Sequence, residues 1–184
     1  MADQKISELT EKTTPAGDDL LAIVDSEASP IQTKKIKHSN LKTGFASKVR
    51  AYISANFTLA NNTWTKVALN AKTFDGLGEF DSTTNYRFTA QAAGYYLVMG
   101  RTQCNGNSVD QQSVGVAIYK NGSFYDYTEV IAPAANKYIA SQFLQVISLA
   151  ATDYLELYAW QTSGGNQVMS GNWTATVLVV SRLS

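Results

Sequence analysis

NYRFTAQAAGYYLV, the stretch from residue 85 to residue 98, decides the fold of this chain. It predicts two β-strands joined by a turn of small residues. Because side chains alternate between the two faces of a strand, Tyr86 and Phe88 share one face of the first strand. Tyr96 and Val98 share one face of the second strand for the same reason. The stretch is therefore typical of paired strands in a mainly β protein.

Gly94 stands where the first predicted strand turns into the second, and a residue without a Cβ gives the backbone a freedom that other residues lack. Together, Phe88, Gly94, Tyr96 and Val98 stand at the spacing F-x5-G-x-Y-x-V. This spacing resembles the signature of the C1q/TNF-like jelly rolls, and the resemblance extends over about residues 57–184. It implies a jelly-roll β-sandwich that assembles as a homotrimer and serves as a binding or structural module, not as an enzyme.

Short predicted strands separated by turn signals follow residue 56. Residues 120–123, Lys-Asn-Gly-Ser, predict a hairpin turn of the Asn-Gly type. No stretch after residue 56 has a convincing long helical pattern. This favours a mainly β fold, an antiparallel sandwich of the jelly-roll type. The predicted strands span residues 64–69, 95–99, 114–119, 143–149, 154–160 and 173–180.

Charged and aromatic residues are unevenly distributed along the 184 residues. The first 56 residues hold 8 of the 15 basic and 7 of the 15 acidic residues. The remainder holds all 3 tryptophans, 9 of the 10 tyrosines and 6 of the 7 phenylalanines. We therefore expect residues 1–56 to be an attachment or trimerisation segment and residues 57–184 to form the aromatic-rich head.

Residues 1–56 read as small elements rather than as a packed domain. A strand at residues 20–24 and a second at residues 31–36 predict a hairpin. A short helix is expected after it, because apolar residues recur there at a helical spacing. The face of that helix would consist of Leu41, Phe45, Val49 and Tyr52.

The same segment resembles the N-terminal module of many tailed-phage fibre and appendage proteins. In that family the module precedes a shaft or a head domain, so the resemblance implies attachment to a virion through residues 1–56. A generic linker hairpin is the alternative interpretation. The resemblance is carried by residues 5–9 (KISEL), 13–15 (TTP), 19–25 (DLLAIVD), 33–36 (TKKI) and 39–41 (SNL).

Few of the usual catalytic or metal-binding patterns are present. The formal net charge is +0, so no global field would draw the chain to nucleic acid or to an anionic membrane. No apolar run is long enough to span a bilayer. His38 is the only histidine and Cys104 the only cysteine, which excludes an internal disulfide and a zinc site of the usual type. We therefore expect no cofactor, no nucleic-acid partner and no membrane insertion.

Two groups of carboxylates are candidate sites. Asp75, Glu79 and Asp81 surround two glycines, and carboxylate oxygens are calcium ligands, but their spacing fits no EF-hand loop. A solvated turn is the alternative. Asp126 and Glu129 lie among tyrosines, and a glycosidase needs two carboxylates that face each other.

A glycine-rich loop near the C-terminus predicts a sugar-binding site. Trp160 and Gln161 precede the loop, and Asn166 and Gln167 follow it. An aromatic ring stacks on a sugar while neighbouring amides hydrogen-bond to it, so all four are candidate glycan contacts. A flexible hairpin loop without a ligand is the alternative.

Three aromatic residues are candidates for a trimer interface, because aromatic side chains are enriched at protein–protein interfaces. These residues are Tyr95, Phe143 and Tyr158. Ordinary sandwich core is the alternative for each of them.

The sequence and its two resemblances together predict a homotrimeric structural appendage of a phage virion, either a fibre or a surface protein. The head would recognise a host or environmental surface, with a cell-surface glycan as partner, and residues 1–56 would contact other virion proteins. The chain would be made in the host cytoplasm and reside in the virion. A purely architectural capsid or tail decoration protein without a ligand is the first alternative, and a glycan depolymerase is the second.

Overall fold

A computed structural model describes residues 20–25, 32–37 and 47–183. The chain divides into two units, residues 1–43 and residues 44–184. In the first unit, β1 (Leu20–Asp25) pairs antiparallel with β2 (Gln32–Lys37). This pairing confirms the predicted hairpin. His38 lies outside the described residues.

The second unit consists of strands and their connections, and its described residues contain no helix. Its strands are β3 (Lys48–Tyr52), β4 (Phe57–Leu59), β5 (Thr65–Lys66), β6 (Ala71–Asp75), β7 (Phe80–Asp81), β8 (Arg87–Thr89), β9 (Gly94–Gln103), β10 (Ser113–Lys120), β11 (Ser123–Ile131), β12 (Ala140–Leu149), β13 (Tyr154–Gln161), β14 (Gln167–Met169) and β15 (Val177–Arg182).

Two antiparallel sheets form the sandwich. The five-stranded sheet has the order β12-β9-β15-β3-β6. The six-stranded sheet has the order β11-β10-β13-β8-β7, with β5 also paired to β13. Apolar side chains from both sheets, such as Val98 and Leu178 from the first and Ile118 and Leu157 from the second, form one buried core. This arrangement confirms the predicted mainly β, jelly-roll sandwich.

The aromatic residues of the signature stretch pack against each other in that core. Phe88 in β8 and Tyr96 in β9 are both fully buried, and their ring centroids lie 5.7 Å apart in an edge-to-face arrangement. The Tyr96 hydroxyl donates a hydrogen bond to the Ala92 carbonyl at 2.7 Å, which satisfies its polar end. Val98 is also buried, so the predicted shared face of Tyr96 and Val98 is confirmed.

Two details of the signature stretch differ from the prediction. Gly94 does not lie in the turn, because it is the first residue of β9 and pairs with Leu149 of β12. Tyr86 precedes β8 and has a positive φ of 48°. A residue in that conformation interrupts the alternation of a strand, so the predicted shared face of Tyr86 and Phe88 is wrong.

The predicted boundary after residue 56 is also wrong. Strand β3 lies inside the five-stranded sheet, between β15 and β6. Val49 and Ala51 are fully buried, and the residues on either side of each are more exposed. This period of two shows that Val49 and Tyr52 belong to a strand, so the predicted helix is wrong for them. Its other two apolar residues lie outside the described ranges.

The predicted Asn-Gly hairpin joins β10 to β11. Asn121 and Gly122 have φ values of 53° and 77°, as a type I′ turn requires. The Asn121 side chain accepts a hydrogen bond from the Tyr154 backbone N–H at 2.9 Å and donates one to Asp153 at 2.7 Å. The hairpin tip is thereby tied to the turn that leads into β13.

Asp153 makes the stability of this turn pH-dependent. Hydrogen bonds from the Asn121 side chain, the Ala150 N–H and Lys120 lower the pKa of Asp153 to about 2. Because an aspartate carboxyl in the unfolded chain titrates at about pH 3.9, the contribution of Asp153 to folding is complete above that pH and is lost as the pH falls toward 2. We expect Asp153→Asn to lower the urea midpoint modestly at pH 7. The difference in urea midpoint between Asp153→Asn and the unsubstituted protein should shrink between pH 4 and pH 2. A difference that stayed constant over this range would contradict the prediction.

Candidate functional site

The outer face of the six-stranded sheet carries a cleft of about 310 Å³. We call it the aromatic cleft. Strand register explains its position, since Gly115 of β10 lies opposite Glu129 of β11 on one side and Trp160 of β13 on the other. Cross-strand partners point to the same face of a sheet. The cleft is lined by Trp64, Phe124, Tyr127, Glu129 and Trp160.

The aromatic rings of the cleft are set at different angles to each other. The Trp64 and Trp160 indoles stack on each other with an offset, with ring centroids 5.7 Å apart and planes at 22°. Tyr127 stands at 81° to Trp64 with a centroid distance of 5.9 Å, and Phe124 stands at 62° with a distance of 6.1 Å. The rings therefore form walls of different orientation around one volume.

Gly115 forms the floor beneath the two indoles. A Cβ at this position would lie 3.1 Å from Cε3 of Trp160 and 3.1 Å from Cη2 of Trp64. Contacts that short are tight, so any larger residue would push both rings outward. The absence of a side chain at Gly115 allows the indoles to lie close to the backbone.

The loop before β5 holds the tryptophans in place. The Trp160 indole Nε1–H donates a hydrogen bond to Asn62 Oδ1 at 3.3 Å. Asn62 has a positive φ of 52°, and its backbone N–H donates to the Gln161 carbonyl at 2.8 Å. Asn61 Oδ1 accepts a hydrogen bond from the Gly164 N–H at 2.9 Å. The rings are thus positioned before any ligand arrives.

Among the described residues, Glu129 supplies the only charge in the lining of the cleft. Its side chain is exposed, and it makes no hydrogen bond or ion pair with the described part of the chain. The neighbouring Glu156 is nearly buried and forms an ion pair with Lys66. Burial, and the nearby Glu156 charge, raise the pKa of Tyr158, which stacks on Tyr119 at 3.8 Å beside the cleft. The cleft therefore offers aromatic surface and one uncompensated negative charge.

Of the four predicted glycan contacts, the structure places only Trp160 in the aromatic cleft. Gln161 is fully buried, and its Nε2 donates to the carbonyls of Leu59 and Gly165 at 3.3 and 2.8 Å. Its Oε1 accepts a hydrogen bond from the Ser163 N–H at 2.6 Å. This amide is already hydrogen-bonded within the chain and does not line the cleft, so its contact with a glycan stays a prediction that the cleft does not support.

The remaining two predicted glycan contacts also lie away from the cleft. Gln167 is buried, and its Nε2 donates to the Asn107 carbonyl at 2.6 Å and to Cys104 Sγ at 3.0 Å. Gln167, like Gln161, is thus hydrogen-bonded inside the chain and lies outside the lining of the cleft. Asn166 is exposed in the loop but does not line the cleft. Cys104 is itself buried, as a small apolar residue would be.

Of the five lining residues, the sequence pointed to Trp160 as a glycan contact and to Glu129 only as a partner of Asp126, and it gave no role to Trp64, Phe124 or Tyr127. Tyr127 and Glu129 do carry a usable signal, because residues two apart share one face of a strand. The pair Asp126 and Glu129 is split for the same reason, and Asp126 instead hydrogen-bonds to Gln145 of β12. Trp64 carries no such signal, since only the pairing of β5 with β13 brings it to Trp160.

The three predicted interface residues lie in three different environments. Tyr95 is 57% exposed on the outer face of the five-stranded sheet, opposite Ser148. Phe143 is only 8% exposed and belongs to the core, where its ring lies against Gly100. Tyr158 lies on the six-stranded sheet. The three residues therefore do not form one contiguous patch on the surface of a single chain, and their place in a trimer interface stays a prediction.

A separate apolar surface lies on the outer face of the five-stranded sheet, across the edge strand β12 and its neighbours β9 and β15. Leu144 and Val146 of β12 are 65% and 55% exposed. The register places Leu144 opposite Met99 and Val146 opposite Leu97, and Met99 in turn lies opposite Val179 of β15. We call this surface the apolar stripe, and it consists of Leu97, Met99, Leu144, Val146 and Val179.

The acidic group around β6 and β7 does not converge on a metal. Asp75 accepts hydrogen bonds from Lys72 and from the N–H groups of Glu79 and Phe80. Burial alone would raise the pKa of Asp75, but these donors outweigh it and lower the pKa. Asp81 accepts N–H groups of its own turn. In the described ranges no three His, Cys, Asp or Glu side chains come together as metal ligands. In a separate respect, no helix among the same residues is long and apolar enough to cross a bilayer.

Solved structures share this fold at low sequence identity. Eiger TNF from S. frugiperda superimposes with a TM-score of 0.59 at 10% identity, over 77% of this chain and 94% of that one. Murine APRIL at pH 5.0 superimposes with a TM-score of 0.55 at 12% identity, over 74% of this chain and 100% of that one. No family model and no curated protein matches the sequence. The similarity establishes a TNF-like jelly roll.

Proposed function

We propose that this chain is a homotrimeric structural appendage of a phage virion whose head binds a cell-surface polymer. The observation that carries the proposal is the different chemistry of the two outer faces of one sandwich. The five-stranded sheet presents the apolar stripe, and the six-stranded sheet presents the aromatic cleft. The face with the apolar stripe is suited to self-association, and the face with the aromatic cleft is suited to ligand recognition.

The apolar stripe supports assembly of identical chains. Soluble monomers rarely expose a contiguous apolar patch on a flat sheet, and such a patch is typical of a protein–protein contact. Leu144 and Val146 are more than half exposed within one chain and would be covered by neighbouring subunits. The TNF-like fold adds to this support, because the resemblance of the signature stretch implies a trimer.

The aromatic cleft supports recognition rather than hydrolysis. Trp160 is held by its hydrogen bond to the loop before β5, and Phe124 and Tyr127 lie in β11, so the rings are ready to stack on a ligand. Its lining contains one carboxylate, Glu129, whereas glycoside hydrolysis uses two that face each other. This favours a binding head over the depolymerase alternative.

Attachment to a virion rests on the resemblance of the N-terminal segment to phage appendage modules. Residues 1–43 form their own unit, and the pairing of β1 with β2 is compatible with such a module. We propose that this unit, rather than the whole of residues 1–56, contacts other virion proteins. A virion location and synthesis in the host cytoplasm follow from this proposal.

Two substitutions test the proposal by separating assembly from recognition. Leu144→Asp should reduce the mass in light scattering from three chains to one chain of 20.0 kDa, because a carboxylate would be buried at the interface. Binding to bacterial cells should also weaken, by roughly 100-fold, as three linked sites become one. Trp160→Ala should keep the mass but abolish binding.

Val109→Asp is the matched control for assembly, since Val109 is an exposed valine on a loop away from the stripe. It should keep both the mass and the binding. If the unsubstituted protein had the mass of a single subunit in light scattering, the trimer would be refuted. A trimer that bound no cell and no isolated surface polymer would favour the architectural decoration protein.

A further inference from the structure

We propose that the aromatic cleft binds a positively charged ammonium group carried by a surface polymer, either a quaternary amine or a protonated amino sugar. The inference rests on the proposed function for the polymer, but the ammonium site itself stands on the geometry of the cleft. It names the chemical group that the head recognises.

The rings of the cleft are suited to a cation. The face of an aromatic ring carries negative potential, and tryptophan attracts a cation more strongly than tyrosine or phenylalanine. Two tryptophans, one tyrosine and one phenylalanine line this single cleft, with Tyr127 at 81° to Trp64. Rings at such angles surround a compact group from more than one side. The cleft therefore suits an ammonium ligand better than a flat, ring-shaped ligand.

Glu129 supplies the matching charge. Its carboxylate lies in the lining and has no hydrogen-bond or ion-pair partner among the described residues. Strand register fixes it across Gly115 from Trp160, so the negative charge and the tryptophans face the same volume. An ammonium in the cleft would contact the aromatic rings and, at the same time, form an ion pair with the Glu129 carboxylate.

The same charges disfavour an anionic ligand. In the part of the chain that the structure describes, no Lys or Arg lines the cleft, and the neighbouring Lys66 forms an ion pair with Glu156. A phosphate or a carboxylated sugar would meet Glu129 without a compensating cation. A neutral sugar would stack on the indoles but would leave Glu129 unused, and that difference is open to measurement.

The experiment compares charged probes with neutral counterparts on the full chain. Choline is compared with 3,3-dimethylbutanol, in which carbon replaces the quaternary nitrogen, and glucosamine with N-acetylglucosamine. Tryptophan fluorescence and titration calorimetry report binding. We expect at least one charged probe to bind ~10-fold or more tightly than its counterpart, a ratio that corresponds to ~1.4 kcal/mol. Equal affinity within both pairs, or no binding of either charged probe, would overturn the proposal.

Glu129→Gln isolates the carboxylate without removing a ring. It should weaken the charged probe by ~10-fold and leave the neutral counterpart unchanged. Asp110→Asn, which neutralises an exposed loop carboxylate outside the cleft, should change neither. An equal loss for both probes in Glu129→Gln, or a similar loss in Asp110→Asn, would contradict the assignment. A thermal melt of each variant confirms that it folds.

The two arms also separate this inference from the proposed function. Preference for choline indicates a choline-substituted polymer, and preference for glucosamine indicates a polymer with free amino groups. If the probes bind but cells do not, the ammonium site holds and the surface-binding role fails. If cells bind regardless of Glu129 and of polymer amines, the surface-binding role holds and the ammonium site fails.

Discussion

A fragment that begins at Ala55 should fail to fold, whereas one that begins at Gly44 should form the complete sandwich. The difference between them is β3 and the residues that flank it. Val49 and Ala51 are fully buried, and Ile53, directly after the strand, is 8% exposed. Removing β3 takes these side chains out of the core and leaves β15 and β6 without the strand between them.

Burial energies indicate that a chain without β3 would not be stably folded. Burying a valine or an isoleucine contributes ~1.5–3 kcal/mol each, and the total stability of a domain is ~5–15 kcal/mol. The backbone hydrogen bonds of β3 to two neighbours would be lost as well. Far-UV circular dichroism and limited proteolysis of the two fragments provide the measurement. A protease-resistant, β-rich fragment 55–184 would show that β3 is dispensable.

Gly171→Ala should cost at least ~3 kcal/mol, because the added methyl group has no space. A Cβ at this position would lie 1.6 Å from the Ala55 carbonyl oxygen, 1.9 Å from its carbon and 2.6 Å from the Asn56 nitrogen. All three are backbone atoms, which cannot rotate away as a side chain can. The Gly171 N–H also donates to Asn56 Oδ1 at 3.0 Å, so separating the two segments would break this hydrogen bond.

Gly165→Ala is the matched control for Gly171→Ala. No heavy atom lies within 4 Å of a Cβ built at Gly165, and its φ is not in the left-handed region. We expect a change within ~0.5 kcal/mol there. The cost at Gly171 corresponds to a decrease of roughly 6–12 °C in the melting temperature of a chain this size. Equal melting temperatures for the two variants would show that the chain near Ala55 moves aside freely.

The fold was predictable where local signals agree with the tertiary structure. The alternation in β9 and the Asn-Gly pair at residues 121–122 both act within a few residues, and both predictions are confirmed. Strand β3 was missed because Val49 and Tyr52 fit a helical period together with residues before them. The buried positions of β3 fit a period of two equally well, and only pairing with β15 and β6 selects the strand.

The candidate site was less predictable, because distant strands build it. Trp64 and Trp160 are far apart in the chain and meet through the pairing of β5 with β13. The amides of Gln161 and Gln167 looked available in a glycine-rich loop. Whether an amide binds its own backbone or a ligand depends on tertiary contacts, and both of these bind their surroundings.

The single buried thiol of Cys104 gives the head an internal reporter of local opening. The Cys104 backbone N–H donates to the Ile139 carbonyl, while Sγ accepts a hydrogen bond from Gln167 Nε2 and donates one to Asn107 Oδ1. A small alkylating reagent can reach this sulfur only when the segment around β14 detaches from its neighbours. The alkylation rate of the native protein therefore measures how often that segment detaches. It reports local opening of this one region rather than unfolding of the whole molecule.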